Sequence, residues 1–249
     1  MAMKILGCDY DGTLNYGGID EAKRAAIKKW QAQGNKLGVV SGRGPAWMAV
    51  VNKELDLTLD FFVAFNGGII VGADGQVVRK TACESVNPKD LTIDLFTWGC
   101  DFAHVNSDAY YLIRRDKKAV GKGEYCLDGL CLPTLIYQVS VQMQTEQEAA
   151  NITALVAKKY GDKLNPLQNG ICVDIVPKGV DKAYGMYQVQ ALFNAKKEDV
   201  IVVGDNFNDV DMLKEFYSYV MENGVEEMKR IAKRVTKSVT QLIEWELAK

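Results

Sequence analysis

Residues 8–14 read CDYDGTL. Two aspartates, two positions apart, close the apolar run KILGC (4–8) and stand directly before a glycine. One Asp there would be ordinary, because aspartate is depleted in strands and favoured in turns. A pair with a glycine behind it poses a sharper choice between a turn and two carboxylates that act together. In extended backbone, residues i and i+2 face the same side. Asp9 and Asp11 can therefore address one ligand from one strand end, and Gly12 lets the chain depart sharply.

The same arrangement recurs along the chain. KLGVV (36–40) runs into Ser41-Gly42, FFVAF (61–65) into Asn66-Gly67-Gly68, and VIVVG (200–204) into Asp205. Four apolar strands thus each end in a polar residue. Helical patterns separate them: 19–35, with Ala22, Ala26 and Trp30 on one face and Gly34 as its stop; 45–55, opened by Pro45; 181–193; and 209–216. IIV (69–71) and QVVRK (76–80) around Asp74-Gly75 predict a hairpin, and YSYVM (217–221) a further strand, followed by two helical stretches. Near-continuous apolar strands alternating with helices predict an α/β fold with a parallel sheet covered on both faces. In such sheets the ligand crevice lies outside the carboxyl ends of the strands, where the four polar residues converge. A turn explains each of them singly but does not explain why all four mark strand ends.

Residues 82–177 have a different texture. A helix opens at Asn87-Pro88, and AYYLIRR (109–115) and LIYQVSVQMQ (135–144) are long and partly alternating. A helix over 145–160 carries a capping box, Thr145 with Glu148, and KLNPLQ and ICVDIV follow. This texture predicts an antiparallel α+β module inserted into a core made of 1–81 and 178–249.

Composition narrows the function. Hydrophobic residues make up 48% of 249, and 30 Lys and Arg against 32 Asp and Glu give a net charge of −2. Bulk charge therefore offers no pull toward nucleic acid or an anionic membrane. No apolar run approaches the ~20 residues of a membrane helix, and MAMKILGC is too short an apolar lead for a secretory signal. The expectation is a cytoplasmic protein. Six cysteines without a C-x-x-C pair and a single histidine, His104, argue against zinc and against a Ser-His or Cys-His hydrolase.

Asp205, Asn208 and Asp209 come from GDNFND (204–209). Carboxylates gathered in one crevice repel one another, by about 4 kcal/mol per pair at ~4 Å and an effective dielectric near 20. A hard divalent cation removes that cost, and carboxylates, a carbonyl, water and phosphate oxygens are what Mg²⁺ prefers. A calcium loop over 9–20 fails, because Leu14 stands where glycine belongs and Asp20 where glutamate does. The glycine-rich nucleotide loops are absent too. Lys182 falls in the first turn of its helix, against the macrodipole, where a lysine is unhelpful to the helix but suited to phosphate.

Together these residues resemble the haloacid dehalogenase-like superfamily of phosphotransferases. The matching segments are D-x-D-G-T-L at Asp9–Leu14, Ser-Gly-Arg at Ser41–Arg43, K-G-x-x-K at Lys178–Lys182 and G-D-x-x-N-D at Gly204–Asp209. Their order, with Asn66-Gly67-Gly68, looks most like the Cof-type branch, in which an α/β cap is inserted between the second and third motifs. Ser41 stands where that branch often has threonine. The tail after Asn223-Gly224 is abbreviated.

The resemblance implies a Rossmann-like core and a Mg²⁺-dependent phosphatase of small phosphorylated metabolites, such as sugar phosphates. Asp9 would be the nucleophile, Asp11 the general acid and base, and Lys182 the phosphate-holding cation. Ser41, Gly42, Arg43, Asn66 and Asn208 would bind phosphate or substrate. Asp9, the Asp11 carbonyl and Asp205 would hold Mg²⁺, with Asp209 behind them. Two other readings share these residues: a phosphomannomutase-like phosphotransferase, and a non-catalytic binder of phosphometabolites. In the insert, Tyr110, Tyr111, Arg114, Arg115, Lys117, Lys118 and Lys122 are candidates for reading the leaving group, with hinges near Ala82 and Lys178-Gly179.

Overall fold

The computed structural model describes residues 3–249, so the first two positions of the expected core segment lie outside the described residues. The chain divides into two compact units: residues up to Lys80 together with Asp181–Lys249, and Thr81–Val180. The first unit opens with β1 (Ile5–Asp9), α1 (Glu21–Ala32), β2 (Lys36–Val40), α2 (Trp47–Leu55), β3 (Phe61–Ala64), β4 (Ile69–Gly72) and β5 (Val77–Lys80). The second contains α3 (Pro88–Thr97), β6 (Phe102–Asn106), β7 (Tyr110–Arg114), β8 (Tyr125–Cys126), β9 (Gln138–Gln142), α4 (Glu146–Tyr160), β10 (Leu164–Asn169) and β11 (Cys172–Pro177). The first unit resumes with α5 (Lys182–Leu192), β12 (Val200–Gly204), α6 (Val210–Glu215), β13 (Tyr217–Met221), α7 (Glu226–Ile231), β14 (Arg234–Thr236) and α8 (Val239–Leu247).

The fold is α/β. Strands of the first unit run in the order β14-β13-β12-β1-β2-β3-β4-β5. Pairing is parallel from β14 through β3, and the β4–β5 hairpin adds an antiparallel edge. Every residue of β1, β3 and β12 is buried. Ile5, Phe61, Val63, Val200 and Val202 join one apolar cluster with Met186 and Val189 of α5 and Met212 and Leu213 of α6. Their neighbours Leu6, Phe62, Ile201 and Val203 are buried as well. Each such side chain contributes about 1.5–3 kcal/mol over leaving it in water. A strand covered on both faces has no room for a polar residue except at its end, which is the physical basis of the repeated strand–polar pattern.

Helix α5 is seated by missing side chains. A Cβ on Gly7 of β1 would lie 2.6 Å from Met186 Sδ, and one on Gly185 would lie 2.5 Å from Val63 Cγ1. A Cβ on Gly67 would lie 2.3 Å from the Asp181 carbonyl oxygen. The helix therefore comes hard against β1, β3 and the turn after β3, which fixes where its first residue, Lys182, stands.

The second unit has a sheet in the order β10-β11-β9-β6-β7-β8, antiparallel except between β7 and β8. Ala103, Val105, Ile113, Val139, Val141, Val173 and Ile175 form its core with Leu91 and Leu95 of α3 and Ile152 and Val156 of α4. Alternate residues Phe102, His104 and Asn106 on β6 stay half-exposed, as expected of a sheet covered on one face. Pro166 is tolerated because β10 is an edge strand. The capping box forms as read: Thr145 accepts from the Glu148 N–H, and the Glu148 carboxylate accepts from the Thr145 N–H.

Three features depart from the sequence reading. Helix α2 begins at Trp47, and Pro45 sits in the lead-in turn, its carbonyl accepting from the Met48 N–H. The three-residue strand β14 is too short to leave a periodic signal. Strand β6 hides its alternation because both of its inward residues, Ala103 and Val105, are small.

Candidate active site

Register brings the strand ends together. Asp9 pairs with Val40, and Cys8 with Val203, so Ser41 and Gly204-Asp205 flank Asp9 on either side. The chain turns away from β1 at once, because Gly12 adopts φ +83°, a conformation that favours glycine. The space is also closed to any other residue: a Cβ there would lie 2.5 Å from Asp205 Oδ2.

At the centre Lys182 Nζ donates to Asp9 Oδ1 and to Asp209 Oδ1, each at 2.6 Å, with Lys182 and Asp209 fully buried. Asp209 Oδ2 accepts from the backbone N–H groups of Asp205 and Asn206 at 2.9 and 3.1 Å. That side chain therefore ties the lysine to the loop carrying Asp205. Thr13 Oγ1 donates to Asp205 Oδ1 at 2.7 Å. Carboxylate oxygens of Asp9, Asp205 and Asp209 all lie within 4.8 Å of one another.

The electrostatics follow from this crowding. Burial pushes the Asp9 carboxyl well above the usual carboxylate range; Lys182 opposes the rise, and Asp209 and Asp205 add to it. Asp205 is also raised by burial, against the Thr13 hydrogen bond and with Asp209 adding. Burial works against the Lys182 ammonium, but Asp209 and Asp9 outweigh it and hold it charged. Lys182 bonds two of the three carboxylates, Asp9 and Asp209, and the excess negative charge at the site is what a hard divalent cation offsets. The donor set, all carboxylate oxygen, fits Mg²⁺ and not a soft metal.

A second group lies beside this knot. Asp11 is more than half exposed, and its carboxylate receives a bidentate pair from Arg43, Nε to Oδ2 at 2.9 Å and Nη2 to Oδ1 at 2.8 Å. Ser41 is buried; its Oγ accepts from the Arg43 N–H at 3.2 Å, and its carbonyl accepts from the Asn66 N–H at 2.9 Å. Gly42 lies between Ser41 and Arg43, and Asn66 is buried with φ +52°. Asn208 is half-buried on the turn before Asp209 and, among the described residues, makes no hydrogen bond to the knot.

Of the expected residues, the structure gathers Asp9, Asp205, Asp209 and Lys182 in one cluster and Asp11, Ser41, Arg43 and Asn66 in an adjoining one. Sequence reasoning missed two supports. Thr13 is inside the quoted motif, and the sequence assigns it no role at this site. Asn223 Nδ2 donates to the Gly12 carbonyl at 3.0 Å, and the Asp205 carbonyl accepts from the Val225 N–H at 3.0 Å. The signal for Asn223 was available: Asn223-Gly224 follows YSYVM much as the other polar-glycine pairs follow their strands.

The haloacid dehalogenase-like hydrolase family matches residues 6–242. YbjI of Escherichia coli, a 5-amino-6-(5-phospho-D-ribitylamino)uracil phosphatase, is 26% identical over 90% of this chain and 86% of its own length. The chloroplastic endoribonuclease YBEY of Arabidopsis thaliana is 25% identical over 90% of this chain, which spans 42% of that longer protein. A haloacid dehalogenase-like hydrolase of Bacillus subtilis shares the fold, with a TM-score of 0.82 at 16% identity, covering 97% of this chain and 99% of that one. The chain belongs to the haloacid dehalogenase-like hydrolases, in the Cof-type branch that carries an inserted α/β cap.

Proposed function

We propose that this hydrolase is a phosphatase of small phosphorylated metabolites, sugar or polyol phosphates foremost, working through an aspartyl phosphate on Asp9. The observation that carries the reading is the buried ammonium shared between Asp9 and Asp209 at 2.6 Å, with Asp205 beside them. Lys182 occupies Asp9 Oδ1, which fixes the carboxylate plane and leaves Oδ2 to attack. The Asp9–P bond forms as the P–O ester bond breaks, and Asp11 protonates the departing alkoxide. Asp11, now a carboxylate, takes a proton from water as that water attacks phosphorus. The Asp9–P bond breaks, and phosphate leaves. Ser41 and Lys182 hold phosphoryl oxygens, and Asn66, Gly42 and Asn208 line the approach. Asp9, Asp205 and the Asp11 carbonyl would hold Mg²⁺, with Asp209 supporting the loop; when bound, the ion neutralises charge on the transferring group.

Phosphate monoesters are among the slowest reactions that enzymes accelerate, by up to ~10²¹-fold. A single donor supplies only ~3–4 kcal/mol, so nucleophile, cation, lysine and exclusion of water must act together. The half-exposed face of the insert's sheet, with Phe102, His104, Tyr110 and Arg114, supports a role in choosing the leaving group. The relative that acts on a phosphoribityl compound supports a polyol phosphate as the class.

A panel of phosphorylated metabolites assayed for phosphate release with Mg²⁺ tests the proposal. Steady release from sugar or polyol phosphates is expected. No release from any monoester would leave a binder, and turnover only after priming by a sugar bisphosphate would make the protein a mutase.

A further inference from the structure

We propose that Arg43 is a positioning residue that holds Asp11, and that Trp47 fixes the plane of the Arg43 guanidinium. This rests on the proposed function, in which Asp11 moves the protons. The sequence reading placed Arg43 on the substrate. In the structure its guanidinium is already committed on two sides.

One edge makes the two parallel hydrogen bonds to Asp11, at 2.9 and 2.8 Å. Its face lies 3.8 Å from the centroid of the Trp47 ring, and the Tyr10 ring is 5.6 Å away on the same group. Tyr10 in turn donates from its hydroxyl to Glu54, and its ring meets Trp47 at 6.3 Å between centroids. The backbone of Arg43 is pinned as well: its N–H donates to Ser41 Oγ at 3.2 Å, and its carbonyl accepts from the Phe65 N–H at 3.0 Å. Arg43 therefore joins the turns after β1, β2 and β3.

The need for such a device follows from Asp11's own position. It sits on a turn, its side chain is 57% exposed, and it follows β1 by two residues, beyond the sheet's packing. Asp9 is held by burial and by Lys182; Asp11 has neither. A solvent-exposed ion pair alone orders little, because water competes for both partners. Stacking on an indole and a bidentate fork change that, since both fix orientation and not only distance. Lysine reproduces the charge but neither the fork nor the stack. Positioning of a proton-transfer group is worth having: a displacement of about 1 Å can cost ~10²-fold.

The test is a double-mutant cycle on the full-length protein, with p-nitrophenyl phosphate and Mg²⁺, resolving kcat from KM. Asp11→Asn is expected to lower kcat by ~10²–10⁴-fold. Arg43→Lys is expected to lower kcat by ~10–100-fold with KM within about threefold. Trp47→Leu should lower kcat several-fold with the same unchanged KM. In the Asp11→Asn background, Arg43→Lys should cost less than about threefold more, because its partner is already disabled. Fully multiplicative losses, or a rise in KM with kcat unchanged, would overturn the inference and return Arg43 to the substrate. An Asp11→Asn variant with native kcat would strike at the proposed function itself, and the clamp would fall with it.

Discussion

The two sheets of this molecule treat polar residues in opposite ways. In the first unit every residue of β1, β3 and β12 is buried, so chemistry is confined to where strands stop. There Asp9, Ser41 and Asp205 meet, and Lys182 is delivered by a helix packed against the sheet. In the second unit, β6 alternates between buried Ala103 and Val105 and half-exposed Phe102, His104 and Asn106. Polar and apolar side chains share that half-exposed face. A sheet covered on both sides yields a small, rigid, strongly coupled site; a sheet covered on one side yields a broad surface whose residues pair only locally, as His104 does with Tyr110 and Arg114 with Glu124. Substitutions in the first should therefore be severe and non-additive, and those in the second graded and separable.

The largest expected effect tests the first half of that contrast. Asp9→Asn should lower turnover by at least ~10⁴-fold, because an amide is no nucleophile and groups acting as a unit fail together. Residual kcat above that in purified protein would break the assignment. Lys182→Met comes next: it leaves buried carboxylates without their cation and should cost about 3–5 kcal/mol in chelator, read by denaturant unfolding. Adding Mg²⁺ should restore part of that loss by binding the native state; a variant as stable as the native chain in chelator would show that the knot is not electrostatically coupled. Chelation of the native protein should remove activity, and Mg²⁺ should restore it better than Ca²⁺, whose larger, looser shell suits this site less.

On the open face, Arg114→Ala should shift the ratio of kcat/KM between two phosphorylated metabolites by about tenfold or less, while the rate on p-nitrophenyl phosphate stays within about twofold. An equal loss on every substrate would erase the contrast between the two sheets. The smallest effect concerns His104. Burial lowers its pKa below the ordinary value, and the Arg114 guanidinium adds to this while Glu124 opposes it. The folded state thus resists the proton. This contribution to stability is complete above the unfolded value of ~6.5 and is lost as pH falls through the folded value. Because His104 is the sole histidine, its imidazole NMR signal can be followed without assignment, and its midpoint should lie below ~6.5. A midpoint at or above that value would mean the face is wetter than its packing implies.

How much could be read beforehand divides along the same line. The double-covered sheet was legible because continuous apolar runs such as VIVVG have one interpretation, and because a polar residue after each run marks the strand end. Lys182 was legible because a cation in the first turn of a helix is anomalous. Strand β6 was not, since FAHVN alternates too weakly to distinguish from a loop. The Arg43–Asp11 pair was invisible for a different reason: the two are 32 positions apart, and nothing in Ser-Gly-Arg says whether the arginine faces a ligand or a neighbour. Nothing in the helical pattern over 45–55 singles out Trp47, and its ring proves to be the plate on which Arg43 lies.

The central claim is that phosphate passes through Asp9. Protein quenched with acid during turnover of a ³²P-labelled sugar phosphate should carry label on the peptide containing Asp9, cleavable by hydroxylamine, and Asp9→Asn protein should carry none. Phosphate release without labelled protein, or label on any other residue, would contradict the account.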